Sequence, residues 1–225
     1  LVPYTRLFQS GSKLSDKPAY PPSASVPTQQ AHHGIRFDFN FGCRVQLPLL
    51  GDGQTWRVRL RDLETGNILF EKTGIPAGLI HSSKRWYVRF GIDVWIESQT
   101  QGGVKSEKQV FSHHFDPQNK EILIQFPVGT LGDTLAWMPY ANRFAKKHGA
   151  HVTCALLGLI SPLFEKAYPH IRFFTHKEVI DQKLSDTFYG TYSLGLFFDD
   201  VGCDWQPTDF RYVGLHKTAA YILGV

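Results

Sequence analysis

The fold class that the sequence predicts is α/β plus β, an antiparallel β-rich stretch over residues 34–116 followed by an α/β unit over 117–225. Three observations predict it. Between Gly34 and Phe115 apolar and polar residues alternate with a period of two, the pattern of half-buried antiparallel strands. After Phe126 short apolar runs alternate with helical patterns, which implies parallel strands joined by right-handed crossovers. At the junction an apolar run, EILIQF, enters a glycine-bearing turn, PVGTLGD, and a helical pattern, TLAWMPYANRFAKKHG, leaves it.

Residues 1–33 hold the proline cluster KPAYPPSASVP with Ser, Gln and the pair His32-His33. Such a composition does not easily fold by itself, so an extended or partly disordered arm is expected; the His pair has the chemistry to bind a metal, but adjacent histidines on a polar tail are usually just solvated. In the β stretch, Ile35, Phe37, Phe39 and Phe41 alternate with Arg36, Asp38 and Asn40, and Trp56, Val58 and Leu60 alternate with Arg57, Arg59 and Arg61. DLETGNIL reads as a hairpin turn with Gly66-Asn67 at its tip, TQGG at 100–103 as another, and RWYVRFGIDVWIE and KQVFSHHF as further strands. The arginine row reads as the solvated face of a strand, and alternation sends His113 and His114 to opposite faces, so at most one of them could join a site. Exposed aromatics of this sheet could mark a subunit contact.

In the α/β unit HVTCALL, IRFF and TYSLGLFF read as strands; SPLFEKAY reads as a helix capped by Ser161, and HKEVIDQKL and GLHKTAAYILGV as helices. Pro139 either kinks the first helix or marks its true start, while Lys146, Lys147 and His148 suit its last turn and Gly149 its stop. Asp199, Asp200, Cys203 and Asp204 cluster after the last strand, and read as loop caps and turn formers rather than as a metal site.

Asp133 closes the glycine turn and carries two readings. As an N-cap, its carboxylate accepts from the helix N–H groups and stabilises the helix by roughly 0.5–2 kcal/mol. As a carboxylate at the carboxyl edge of a parallel strand, where open α/β sheets bind ligands, it serves as a general base. Gly129-x-x-Gly132 is neither a P-loop nor a dinucleotide fingerprint, which disfavours a nucleotide-binding oxidoreductase.

With 225 residues, 42% hydrophobic and 14% aromatic, the chain has the means to bury a core as one large domain or two small ones. The net charge of +4 is dispersed, with no polybasic stripe for nucleic acid. Cys43, Cys154 and Cys203 are far apart and odd in number, which excludes a disulfide framework and fits a reducing compartment. No run is long and apolar enough to span a bilayer, and the start has no signal-peptide pattern. The first residue is Leu1 rather than Met, so a piece of a longer protein is expected.

Several runs carry a specific resemblance. IQFPVGTLGDTLAWMPYA, GIRFDFNFGCRVQLP, WRVRLRDLETGNILFE, GLFFDD and DFRYVGLHKTAAYILGV, in this chain from about Gly34 to Val225, resemble the bacterial autotransporter heptosyltransferases, relatives of the lipopolysaccharide heptosyltransferases. The resemblance implies that 117–225 is the first Rossmann-like domain of a GT-B glycosyltransferase, on the acceptor side. It implies transfer of heptose from ADP-heptose to Ser residues of an autotransporter adhesin in the bacterial cytoplasm, by a homo-oligomer. Asp133 is then the catalytic base, and Gly129, Thr130, Leu131 and Gly132 bind substrate. The family's second Rossmann domain is absent from these residues. So are the clustered cysteines that hold its structural iron, so no metal or cofactor is expected in this stretch. The 225 residues alone are therefore expected to be inactive. The competing expectation is a non-catalytic binding or assembly module whose β region makes subunit or substrate contacts.

Overall fold

The structure is a computed structural model, and it describes residues 20–99, 105–127, 131–195 and 210–225. Among these residues it holds a mixed sheet of eight strands and an antiparallel sheet of four. The strands are β1 (Gln29–Gln30), β2 (Arg36–Asn40), β3 (Arg44–Leu47), β4 (Gln54–Asp62), β5 (Ile68–Ile75), β6 (Gly78–His81), β7 (Phe90–Gln99), β8 (Lys105–His114), β9 (Glu121–Gln125), β10 (His151–Leu156), β11 (Arg172–Thr175) and β12 (Gly190–Ser193). The helices are α1 (Leu131–His148), α2 (Ser161–Glu165), α3 (His176–Asp181), α4 (Phe210–Val213) and α5 (Leu215–Leu223).

The four-stranded sheet, in the order β5-β4-β7-β8, is antiparallel throughout, as the period of two predicts, but it is not a simple meander, because β7 pairs with β4 rather than with β5. Trp56, Val58 and Leu60 of β4 are buried, while Arg57, Arg59 and Arg61 stand on the other face. That face is polar, and its charges are paired across strands. Arg57 reaches Glu71 and Glu107, Arg59 reaches Glu71, and Arg61 reaches Asp93. The Arg57 guanidinium also lies 4.7 Å from the centre of the Trp95 ring.

The larger sheet runs β11-β10-β9-β12-β2-β3-β6, with β1 beside β2. β11, β10, β9 and β12 pair in parallel, as their alternation with helices predicts. β2 corrects one expectation. It pairs antiparallel with β3 but parallel with β12, so strands from both sides of residue 116 share one sheet. Lying inside the sheet, β2 is covered on both faces, and Asp38 and Asn40 are buried where alternation put them in solvent. One hydrophobic cluster spans both sheets, through contacts such as Phe37 with Phe111 and Phe39 with Phe115.

The burial of Asp38 explains the order of the chain before it. Asp38 forms a two-bond ion pair with Arg44, at 2.8 and 2.5 Å, and accepts from Thr28 N–H at 3.1 Å and from the Asn40 amide at 2.7 Å. Arg44 donates further to the Ala24 carbonyl at 2.8 Å, and Arg36 to the Pro27 carbonyl at 2.8 Å. The described part of the proline-rich arm is thus an extended strap whose carbonyls are satisfied by side chains of the sheet. Residues 1–19 lie outside the described residues, as does the expected hairpin tip at 100–103.

Other local differences have simple causes. RWYV is not strand: the Tyr87 N–H donates instead to the Ile222 carbonyl at 2.8 Å, tying this segment to α5. Ser161 is the first residue of α2 rather than its cap, which is Ile160, and its hydroxyl donates to the Gly158 carbonyl. The capping box lies on α3, where Thr175 and Glu178 satisfy each other's backbone N–H groups. α1 runs unbroken through Pro139, which lies on its exposed side, so Pro139 is not the helix start. Gly149 ends the helix at φ +61°, as expected.

Candidate active-site rim

In an open α/β sheet, ligands bind outside the carboxyl ends of the strands where the strand order reverses. Here the chain passes from β9 outward to β10 and β11, then returns to place β12 on the other side of β9. The reversal lies between β9 and β12, whose carboxyl ends, Gln125 and Ser193, are register partners. A cavity of about 400 Å³ opens there. Gln125 and Pro127 line it from β9, Ser193 and Gly195 from β12, and Phe41 from the end of β2. His81 and Arg85 line another part, and Tyr20, Pro21, Pro22 and Ser23 of the strap complete it.

Each side chain has an identifiable support. Gln125 is 2% exposed, and its amide donates to the Pro21 carbonyl at 2.8 Å, so it fastens the strap to the rim. Phe41 sits at φ +55°, a left-handed conformation that a bulky residue rarely adopts. It is held there by its own N–H donating to the Thr191 carbonyl at 3.1 Å and its carbonyl accepting from His81 Nε2 at 2.9 Å. Gly195 packs directly on Pro127, where a Cβ would come within 2.3 Å of the proline ring. Close approach of the β9 and β12 ends therefore needs glycine at 195.

Among the sequence-predicted site residues, Leu131, Gly132 and Asp133 form the start of α1, the helix that follows the carboxyl end of β9. Leu131 and Gly132 are exposed and Asp133 is half-buried. The helix begins two residues before Asp133, so the carboxylate stands within the first turn, at the positive end of the helix dipole, rather than at the preceding cap position. None of the three lines the cavity between β9 and β12, although both features belong to the same edge of the sheet. Gly129 and Thr130 lie outside the described residues, as do Asp199, Asp200, Cys203 and Asp204.

Among the described residues no group of three or more His, Cys, Asp or Glu side chains could hold a metal ion. Cys43 and Cys154 are buried and free, and burial pushes both thiols well above their usual range, away from the thiolate that a metal takes. These residues do not fit an iron site.

Sequence reasoning missed the strap, Gln125, His81 and Arg85 as parts of the rim. Gln125 did carry a signal, being the polar residue at the carboxyl end of an otherwise apolar strand run.

Comparison with known proteins adds the family. Residues 32–98 match the family model described as the N-terminal domain of glycosyltransferase TibC. Over 206 residues the chain is 39% identical to the inactive autotransporter heptosyltransferase BimC of Burkholderia thailandensis, covering 92% of this chain and 44% of BimC. It is 39% identical over 200 residues to the autotransporter heptosyltransferase TibC of Escherichia coli, covering 89% of this chain and 45% of TibC. The match is to the N-terminal portion of the autotransporter heptosyltransferase family. This is the family that the motif runs resemble.

Two solved structures of a family member agree in three dimensions. The iron-containing dodecameric glycosyltransferase TibC from enterotoxigenic E. coli superposes with a TM-score of 0.76 at 38% identity, over 91% of this chain and 49% of that one. Dodecameric TibC in complex with ADP-D-β-D-heptose gives 0.75 at 39%, over 92% and 49%. The chain thus spans about half the length of the family members it matches.

Proposed function

We propose that this chain is the N-terminal, acceptor-side part of a protein O-heptosyltransferase, with residues 117–225 as the first Rossmann-like domain of a GT-B fold. The reaction moves heptose from ADP-heptose to serine hydroxyls of an autotransporter adhesin in the bacterial cytoplasm. One observation carries the reading: a cavity at the strand-order reversal lies on the same sheet edge as the helix turn that bears Asp133. The likeness to TibC, whose structure contains ADP-D-β-D-heptose, supplies the substrate class.

A serine hydroxyl is a weak nucleophile, so its proton must leave as its oxygen bonds to the anomeric carbon. Asp133 accepts that proton, the bond from the anomeric carbon to the diphosphate oxygen breaks, and ADP departs. General-base catalysis of this kind contributes about 10²–10⁴-fold. By the family resemblance Gly129, Thr130, Leu131 and Gly132 are the residues assigned to bind sugar or diphosphate, and the N-terminus of α1 favours the negative charge of the diphosphate. Because TibC is dodecameric, a homo-oligomer is proposed here too.

A second reading, a non-catalytic binding or assembly module, is favoured by one specific fact: BimC, named as inactive, is as similar to this chain as TibC is. Asp133→Asn in the full-length protein separates the two. Under the catalytic reading kcat falls by about 10²–10⁴-fold. Stability falls by no more than about 1 kcal/mol, the worth of one charge at a helix terminus. Transfer at the wild-type rate refutes the base, and leaves Asp133 as a stabiliser of α1.

A further inference from the structure

His176 is the first residue of α3 and is 5% exposed. Its Nε2 lies 3.2 Å from the carbonyl oxygen of Phe126, at the end of β9. A carbonyl can only accept, so Nε2 carries the hydrogen and Nδ1 is left with a lone pair. Nδ1 is buried without a hydrogen-bond partner among the described residues. The ring forms a T-shaped pair with Tyr20, with centroids 5.1 Å apart and planes at 84°, and Tyr20 lines the cavity. Burial holds the imidazole below its usual pKa range, consistent with a neutral ring. A phenyl ring of similar size would fill this space without an unmatched nitrogen, so packing alone does not account for a histidine.

The Nε2–H bond acts on a residue that is fixed at every other point. The Phe126 N–H donates to the Ala155 carbonyl at 2.9 Å, so with His176 both of its backbone polar groups are bound. The Phe126 ring then packs on Trp137 of α1, with centroids 6.3 Å apart at 38°. Trp137 is fully buried and stands four residues after Asp133, on the same face of the helix. A continuous line of contact therefore runs from His176 through Phe126 and Trp137 to the first turn of α1.

We propose that His176 is a positioning residue for Asp133: its Nε2–H locks Phe126, and through Trp137 this fixes the first turn of α1 relative to the carboxyl ends of β9 and β12. The inference rests on Asp133 being the base. Misplacing a catalytic group by about 1 Å costs up to about 10²-fold in rate, so a lost tether appears in kcat rather than in substrate affinity.

The test compares His176→Phe and His176→Gln in the full-length protein, with ADP-heptose as donor. His176→Phe keeps the bulk and removes the donor. It is expected to lose about 10–100-fold in kcat, with KM for ADP-heptose unchanged and thermal stability unchanged or raised. His176→Gln offers an amide N–H to the same carbonyl and is expected to keep most of kcat. Wild-type kcat in His176→Phe, or a loss that follows a fall in stability, overturns the proposal. Asp133→Asn in the same assay keeps the two claims apart, since wild-type transfer by that variant refutes the base itself. The tether is tested without catalysis by nitrogen NMR of the ring in the 225-residue chain. A neutral Nε2–H tautomer supports it, and an Nδ1–H tautomer overturns it.

Discussion

At the scale of single residues, this molecule buries histidines as neutral hydrogen-bonding groups. His113 lies among Phe37, Phe39 and Phe111, and its Nε2 is 2.8 Å from the Tyr189 hydroxyl. That hydroxyl also accepts from Asp116 N–H at 3.3 Å, and it donates to Nε2 when the neutral ring carries its hydrogen on Nδ1. Burial, aided by Lys120 and His114 and opposed by Asp116, lowers the His113 pKa from 6.5 to about 4. The unfolded chain therefore binds a proton between those values that the folded chain refuses. This contribution to stability is complete above about pH 6.5 and is lost as pH falls toward 4. Thermal unfolding of the wild type is expected to drop more steeply from pH 7 to pH 5 than that of His113→Phe. Equal slopes would show that His113 is already charged or exposed. The sequence placed His113 and His114 on opposite faces, and the structure agrees, with His113 half-buried and His114 exposed. What alternation could not supply was Tyr189, 76 positions away.

At the scale of elements, periodicity made the strands legible, and partners at long range decided the exceptions. β4 follows its alternation because one face is core and the other carries ion pairs to its neighbours, whereas β7 buries Asp93 among its apolar residues to pair with Arg61. β2 has the same alternation, and it failed for Asp38 and Asn40 because the strap and β12 enclose them. The strap takes the extended one of the two states, extended or partly disordered, expected of a proline-rich segment that cannot bury enough of itself to fold alone. Its order is borrowed from Asp38, Arg44, Arg36 and Gln125. Asp38→Asn leaves Arg44 as a buried charge without its carboxylate, an arrangement that costs about 3–5 kcal/mol. Denaturant unfolding of that variant, with proteolysis sites mapped, is expected to show both the loss of stability and early cleavage in residues 20–30. Stability within about 0.5 kcal/mol of wild type would mean that the pair does not hold the strap. α1 offers a contrast, because its interior proline removes one helical N–H at an exposed position. Pro139→Ala is expected to raise the unfolding midpoint, and a lower midpoint would show that the proline ring itself matters for packing.

At the scale of the whole molecule, a mixed α/β sheet and an antiparallel sheet share one core and leave one edge shaped for a ligand. The strand at 121–125 and the helix at 131–148 were legible because their patterns are local. The sheet edge beside them was not, since it is assembled from residues 20–23, 41, 81, 85, 125, 127, 193 and 195, which only the topology brings together. The chain covers about half of each family member that it matches, so the reading assigns it half of the machinery. The 225 residues alone are expected to bind no ADP-heptose tightly and to transfer none, and measurable transfer by them would contradict that division. Among the described residues no helix is long and apolar enough to cross a membrane.

The most direct measurement of the central claim is the intact mass of an autotransporter adhesin fragment incubated with ADP-heptose and the full-length protein, wild type beside Asp133→Asn. The account predicts mass increments of whole heptose units, located on serines, with wild type and almost none with the variant. Increments of equal size and rate with both proteins, or none with wild type, would contradict it.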